Sequence, residues 1–600
     1  MAESEPWPAS AVFGPSGLTI GGVAASELAA RFGTPLLVFD AQDLRARMRA
    51  ARTAFPRVAY AVKAFTGHVV VRIAVEEGLD LLCASGGEIE ACLRAGVGAA
   101  RLQLHGNAKT DAELALAARA GIGLVIVDGA DELERVDAAA REAGRVLDVL
   151  LRVRPGIAVD THEKIATGHE ESKFGIDRDR APSVARACAA LPGVRLLGFH
   201  GHAGSQILET GPALAVLDVL AAVAREAGVT PAVLDIGGGF GVTYTDEVPL
   251  EAGPLSAALR SRLEVLAAEA GWPVPELRAE PGRSLVANPG CTIYTVMARM
   301  RAGGRELVAV DGGMSDNLRP MLYDAVHAVS PASAPGAVPV REVVTIVGRH
   351  CESGDVLARD VALPVGVAPG DLLAVAATGA YTYSLASVYN RFGRPAVVGV
   401  AGGRATTWLR REDAADMDRL EVALARPRVE SVPEGVMIRS ARPGDARRFL
   451  VHWSEVVAEG LFLRTERADA TPAQVRRRFR RSADEANLLA STAGAVVGHI
   501  SVTRERHPAT SHVATLGMAV SPAWRGRGIG AALLAEGLSW ARGHGVEKVL
   551  LSVYPENTAA IALYRRSGFV QEGRLSRQSR KAYGDVDEIL MAAWIGEGDL

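Results

Sequence analysis

The chain has 600 residues, 48% of them apolar and 22% charged, which excludes a disordered, collagenous or disulfide-scaffold protein. That length asks for roughly two to four domains. Its 66 basic and 69 acidic residues leave a net charge of -3, so no global basic field points to nucleic acid.

The first ten residues, MAESEPWPAS, lack the charged start and apolar stretch of a signal peptide. No run of about 18 apolar residues is available to span a membrane. Five scattered cysteines, Cys83, Cys92, Cys188, Cys291 and Cys351, share no metal-ligand spacing and fit free thiols in a reducing compartment. The expectation is a cytoplasmic protein without membrane or nucleic-acid partners.

Between residues 57 and 285 one rhythm repeats: a short apolar run, a turn bearing Gly, His or Asp, then an amphipathic segment. The runs are VAYAV, LDLLC, LQLHG, LVIVD, VLLRV, LLGFH, AVLDI and ELRAE. Segments such as DAELALAARA between them carry acidic first turns and helix-period apolar residues. Strand then helix, repeated eight times, is the arithmetic of a (β/α)8 TIM-type barrel, with a doubly wound open sheet as the alternative. Residues 286–410 change texture to β-branched runs with Gly/Pro turns, an all-β domain. RPRVESVPEG (426–435) reads as a linker, and a mixed α/β domain follows. The expected boundaries are a barrel over 35–285, a β domain over 286–425 with segment 1–34, the linker, and an α/β domain over 436–600. The basic cluster at 476–481 reads as a solvated helix face.

In such barrels chemistry sits where strands end. The strand ends carry Lys63, Ser85–Gly87, His105–Asn107, Asp128, Arg154–Gly156, His202–Ser205, Gly237–Gly239 and Glu280–Arg283. Packing alone does not call for so many polar residues along one rim. Lys63 offers an amine whose pKa burial would lower, freeing it for Schiff-base formation. The glycine triplet lets backbone amides approach an anion, and Arg283 supplies a forked cation. Glu280 stands where it could hold a ring nitrogen protonated. Together these describe a site for pyridoxal 5′-phosphate.

The ordered stretches YAVKA (60–64), SGGEIE (85–90), HGNAK (105–109), THEKIATGHEESKFGI (161–176), HGHAGSQI (200–207), LDIGGGFG (234–241), AEPGR (279–283), VDGGMSDNLRPMLY (310–323), GRHCESGDVL (348–357) and TGAYTYSLASVYN (378–390) resemble the alanine-racemase-like pyridoxal-phosphate enzymes, and within them the diaminopimelate decarboxylases. The resemblance implies that Lys63 holds the cofactor, His202 stacks on its ring and Glu280 pairs with its nitrogen. Ser205, Gly237, Gly238, Gly239, Gly282 and Arg283 would meet the phosphate, and Tyr381 would close over the cofactor. Arg319 and Tyr323 would bind the substrate's distal carboxylate and Glu352 its distal ammonium, with Arg283 and Tyr381 bordering the same substrate. Cys351 would reprotonate the carbon that loses carbon dioxide. Cys351 and Glu352 would reach a partner's site, which implies a homodimer with shared active sites. An acid and a base spaced to read both distal groups suit a diaminopimelate-type substrate better than lysine or ornithine. A decarboxylase of another carboxylated amine is the alternative. Two positions depart from the family pattern: Leu82 stands where an aspartate is usual, with Asp80, two residues earlier on the same strand face, as the candidate substitute, and Ala108 replaces an asparagine.

In the last domain, GMAVSPAWRGRGIG (517–530) reads as a strand, a Gly/Arg turn and a helix start, a turn whose amides suit a pyrophosphate. With NTAAIALYRRSGF (557–569) it resembles the GNAT acetyltransferases. The resemblance implies acetyl-coenzyme A as cosubstrate, held by Arg525, Gly526, Gly528, Ile529 and Gly530. Asn557 would lie near the coenzyme A arm and Tyr564 would protonate the leaving thiolate. The strand HVATLGMAV lacks the glutamate base common in that family, so the base is open. A non-catalytic acetyl-coenzyme A sensor is the alternative role.

Overall fold

The computed structural model describes residues 6–157, 173–333, 340–421, 433–480 and 482–595. Most of the expected linker 426–435, and residues 161–172 of the motif at 161–176, lie outside these. The chain forms two compact units, Met1–Arg419 and Leu420–Leu600. Among the described residues no helix is long and apolar enough to cross a membrane.

In the first unit, strand β1 (Leu36–Asp40) leads directly into helix α1 (Ala41–Ala54). The Asp40 side chain caps that helix by accepting the Gln42 and Asp43 amides, so the strand ends where the helix begins. Eight parallel strands follow: β2 (Arg57–Ala61), β3 (Asp80–Cys83), β4 (Leu102–Leu104), β5 (Leu124–Val127), β6 (Leu147–Arg154), β7 (Val194–Gly201), β8 (Val233–Asp235) and β9 (Glu276–Ala279). They pair in the order β6-β7-β8-β9-β2-β3-β4-β5, and β5 pairs back onto β6 to close the barrel. The closed barrel is therefore the outcome, not the open sheet. Runs such as LVIV in β5 are buried throughout because parallel strands here are covered on both faces. Ala59, Ala61, Leu82, Leu124, Ile126, Leu150 and Val233 fill the interior.

The β domain comprises β10 (Gly290–Ala302), β11 (Arg305–Val310), β12 (Arg341–Val347), β13 (Val356–Pro364), β14 (Leu372–Val375), β15 (Ala396–Ala401) and β16 (Arg404–Leu409). Its order is β13-β12-β11-β10-β1-β15-β16, with β14 on β10. One boundary differs from expectation: β1, placed in the barrel by the sequence reading, pairs antiparallel with β10 and parallel with β15. The reason lies in its alternation. Leu37 and Phe39 pack into the barrel core while Leu36 and Val38 pack into the β-domain core, so the strand has an apolar face for each.

The second unit is a sheet of β17 (Met437–Ser440), β18 (Glu485–Ser491), β19 (Val496–Arg504), β20 (Val513–Val520), β21 (Lys548–Val553), β22 (Val570–Lys581) and β23 (Gly584–Trp594), ordered β17-β18-β19-β20-β21-β23-β22. Helix α5 (Ile529–Gly543) packs on one face through Ile529, Leu533, Ile500 and Val502. Helices α3 (Ala446–Ala458) and α4 (Pro472–Arg478) cover the other through Phe449, Val475, Leu489 and Val496. Arg476, Arg477 and Arg478 are exposed on α4, as a solvated face requires.

Candidate active sites

The barrel mouth gathers the expected residues around one buried acidic cluster. Glu280, just past β9, takes His200 Nε2 at 3.0 Å, and its second oxygen, Oε1, is buried without a partner. Burial raises the Glu280 carboxyl to about 7, against the lowering pull of Arg152 and Lys63. Asp235 is raised to about 7 for the same reason, with the neighbouring Glu280 charge adding to it. His200 is depressed to about 4 by burial, so it stands neutral between the two acids.

The phosphate-type cradle is steric as well as electrostatic. A Cβ on Gly238 would lie 2.1 Å from the Glu280 carbonyl oxygen, and one on Gly239 would lie 1.9 Å from that of Gly204. Gly237 and Gly239 also hold φ of +70° and +90°, a region that favours glycine. His202 rests on this loop and accepts the Gly238 amide through Nδ1 at 3.2 Å. Burial holds its imidazole well below the usual range, so it is neutral. Arg283 donates to Ser205 Oγ at 2.8 Å and to Tyr244 Oη at 2.5 Å, with Nε buried and unpartnered. Gly282 lets that segment approach β2, since a Cβ there would lie 3.1 Å from that of Ala61. Tyr381 lies 5.0 Å from the Arg283 guanidinium at φ +58°, an unusual backbone for tyrosine, and its amide donates to the Ala64 carbonyl.

Arg319 opens the short helix α2 (Arg319–Tyr323), buried 5.1 Å from the Tyr244 ring and 5.9 Å from that of Tyr323. Its Nε is also unpartnered. Among the described residues no carboxylate pairs with Arg283 or Arg319. Two buried guanidiniums sharing one tyrosine therefore make a pocket that calls for anions, since a buried charge without a counter-ion is costly.

Two placements differ from expectation. The Lys63 side chain is exposed at the mouth in the turn after β2, rather than buried. Asp80 does not face the mouth as a stand-in for position 82. It opens β3 at the barrel's other end, bound to Arg57 at 2.6 Å and Arg101 at 3.3 Å, and Leu82 packs inside the barrel. Ala108 adopts φ +52°, a conformation asparagine tolerates better. Cys351 and Glu352 lie exposed on the turn between β12 and β13, where the Cys351 amide donates to Asn390 Oδ1 at 3.0 Å. The other four cysteines are buried.

Several site residues were missed by the sequence reading. Arg152, inside β6, donates to His105 Nε2 at 3.0 Å and lies 3.5 Å from Asp128. His200 and Asp235 precede singled-out residues by two positions on their strands, and that two-residue period was the available signal.

In the second unit, β20 and β21 pair only over Val513–Thr515 and Lys548–Leu550. Beyond that they part, leaving the Leu516–Val520 edge of β20 open to pair with a ligand's amides. The turn that follows holds Gly526 and Gly528 at φ +69° and +78° and delivers its amides to the start of α5 at Ile529 and Gly530. The Arg525 side chain is committed elsewhere: it forks onto Glu459 and bonds the Val520 carbonyl, so only its backbone is left for a ligand. Asn557 caps α6 (Thr558–Arg566) by accepting the Ala560 amide at 3.2 Å. Tyr564, on α6, is buried, and that burial pushes its hydroxyl up to about 12.

Comparison with known proteins finds one family in each unit. Residues 41–287 match the family described as pyridoxal-dependent decarboxylase, pyridoxal binding domain, and residues 455–569 match the acetyltransferase (GNAT) family. The chain is 42% identical over 440 residues to the diaminopimelate decarboxylase of Mycobacterium leprae, covering 70% of this chain and 93% of that protein. It is 41% identical to that of Bacillus subtilis, covering 68% and 95%. Among solved structures it is similar to diaminopimelate decarboxylase from M. jannaschii in co-complex with L-lysine, with a TM-score of 0.65 and 30% identity over 69% of this chain and 98% of that one.

Proposed function

The chain belongs to the diaminopimelate decarboxylase family of pyridoxal-phosphate enzymes and carries a GNAT domain after it, and on that footing we propose that its first unit converts meso-2,6-diaminopimelate to L-lysine while its second acetylates an amine from acetyl-coenzyme A. The observation that carries the first half is the pair of buried, uncompensated guanidiniums, Arg283 and Arg319. One suits the cofactor's phosphate. The other suits a carboxylate that lysine and ornithine lack at the far end.

When bound, pyridoxal phosphate supplies an electron sink for the carbanion left as carbon dioxide departs. Lys63 Nζ would hold it covalently, the Gly237–Gly239 amides with Ser205 and Arg283 would hold its phosphate, and Glu280 Oε1 would accept from its ring nitrogen. His202 would stack on the ring and Tyr381 would close the pocket. Arg319 and Tyr323 orient the distal carboxylate. Glu352 and Cys351, reaching in from a second copy of the chain, hold the distal ammonium and return a proton to the substrate carbon. Their exposure on the turn between β12 and β13 supports this trans arrangement.

In the second unit the Gly526–Gly530 amides hold the pyrophosphate and the open edge of β20 takes the thioester arm. Tyr564, raised to about 12, remains protonated at neutral pH and so has a proton to give the thiolate. The test is product analysis. Purified protein with both cofactors should release L-lysine from meso-diaminopimelate, while L-lysine and L-ornithine are turned over at least about a hundredfold less efficiently. Equal turnover of substrates lacking the distal carboxylate would move the assignment to another amine.

A further inference from the structure

The acceptor of an acetyl group arrives as an ammonium, and its proton must go somewhere. Strand β20 offers no carboxylate. On the α3 face of the sheet, however, four polar side chains form an unbroken hydrogen-bonded chain. Ser521 Oγ donates to Glu455 Oε2 at 2.7 Å, His452 Nδ1 lies 2.8 Å from Ser521 Oγ, and His452 Nε2 lies 3.0 Å from His499 Nδ1. His452, His499 and Ser521 are buried and Glu455 is exposed, so the chain runs from solvent to the interior.

The bond directions fix its polarity. Because the Ser521 hydroxyl proton goes to Glu455, His452 Nδ1 must donate to Ser521. Neutral His452 then accepts at Nε2, so His499 donates from Nδ1, which leaves a lone pair on His499 Nε2. That end of the chain sits beside the open stretch of β20. His499 is the register partner of Ala519, within the Leu516–Val520 segment that has left β21, and Ser521 is the first residue after the strand. The rings of Phe449 and Trp453 lie 5.1 and 5.3 Å from that of His499, which places it on the α3 face, opposite α5.

We infer that His499, His452, Ser521 and Glu455 form the proton relay that deprotonates the acceptor amine in the second unit, with His499 as the receiving base. This rests on the acetyltransferase reading above. The ammonium first gives one proton to His499 Nε2, as that of His499 Nδ1 passes to His452 Nε2, that of His452 Nδ1 to Ser521 Oγ, and the hydroxyl proton to Glu455 and water. The free amine then forms the C–N bond as the C–S bond of the thioester breaks. The nitrogen's second proton leaves to water, while the thiolate takes one from Tyr564, which regains its own from solvent, so one proton is released overall.

Burial depresses His499 to about 3, with His452 and Arg478 pulling the same way. It depresses His452 to about 4, against Glu455. Both rings are therefore neutral at physiological pH, each with one N–H and one lone pair, as a relay requires.

The test uses the full chain with acetyl-coenzyme A and two acceptors at pH 8: L-lysine, the amine the first unit releases, and hydroxylamine, which is already uncharged there. His499→Gln should lose about 10²- to 10⁴-fold in kcat with L-lysine and at least about tenfold less than that with hydroxylamine. Glu455→Gln, at an exposed position, should lose about tenfold with L-lysine and keep the wild-type affinity for acetyl-coenzyme A. Equal losses with both acceptors, or full activity in His499→Gln, would overturn the relay while leaving the acetyltransferase reading in place. A wild type that acetylates neither amine would overturn both.

Discussion

The buried acid at the barrel mouth makes the protein's stability depend on pH in a direction opposite to that of most carboxylates. Glu280 is raised from 4.5 to about 7 in the fold. Its contribution is therefore fully present below pH 4.5 and is lost as pH rises through about 7, because the folded state must then hold a buried charge that the unfolded state solvates. Between pH 5 and pH 8 the linkage relation gives a loss of about 2.5 kcal/mol from this group. Spread over the unfolding entropy of a unit spanning Met1–Arg419, that is a fall of about 3 °C in Tm. The assay is a thermal melt of cofactor-free protein across that range, following the transition that pyridoxal phosphate shifts. Glu280→Gln removes the titrating group and also relieves Asp235, whose own rise depends partly on Glu280, so more than half of the combined decline should vanish. Cofactor-loaded protein should show a flatter profile, since a cationic ring nitrogen favours the carboxylate. An unchanged decline in Glu280→Gln would refute the reasoning.

Lys63→Ala should abolish the cofactor adduct trapped by borohydride and nearly all decarboxylation, read by mass spectrometry of the reduced peptide. Lys63→Ala and Cys351→Ala proteins, each impaired, should recover about a quarter of wild-type activity when mixed in equal amounts and allowed to exchange subunits, because half the dimers then carry one intact site. Tyr564→Phe should cut acetyl transfer by about 10²-fold or more and leave acetyl-coenzyme A affinity nearly unchanged by calorimetry. Gly528→Val should do the reverse, since a β-branched residue at φ +78° distorts the amide turn.

What the sequence made legible was local. A strand followed by a glycine triplet, or by Glu-Pro-Gly-Arg, announces its chemistry within a few residues, and Gly237–Gly239, Glu280 and Arg283 stand around one cradle accordingly. Their partners were hidden because they come from elsewhere in the chain: Tyr244 bonds Arg283 from 39 positions away and His200 bonds Glu280 from 80. No periodicity encodes such pairings. Arg525 shows the converse. Its place in the RGRGIG turn suggested ligand binding, yet Glu459, 66 positions earlier, takes its side chain. Likewise His452 and His499 share no motif, and only the packing of α3 on β19 brings them together.

The double allegiance of β1 sets an order on how this protein is made. Leu36–Asp40 leaves the ribosome long before its sheet partners, which begin at Gly290 and Ala396. Through nearly all of the barrel's synthesis one apolar side of this segment waits for a sheet that has yet to be translated. The nascent chain thus carries a bare strand edge that a chaperone must shield or that must stay loose until Ala396–Ala401 emerges. A gene fragment cut after the barrel would leave that edge open for good, and its product should aggregate rather than persist as a small soluble enzyme core.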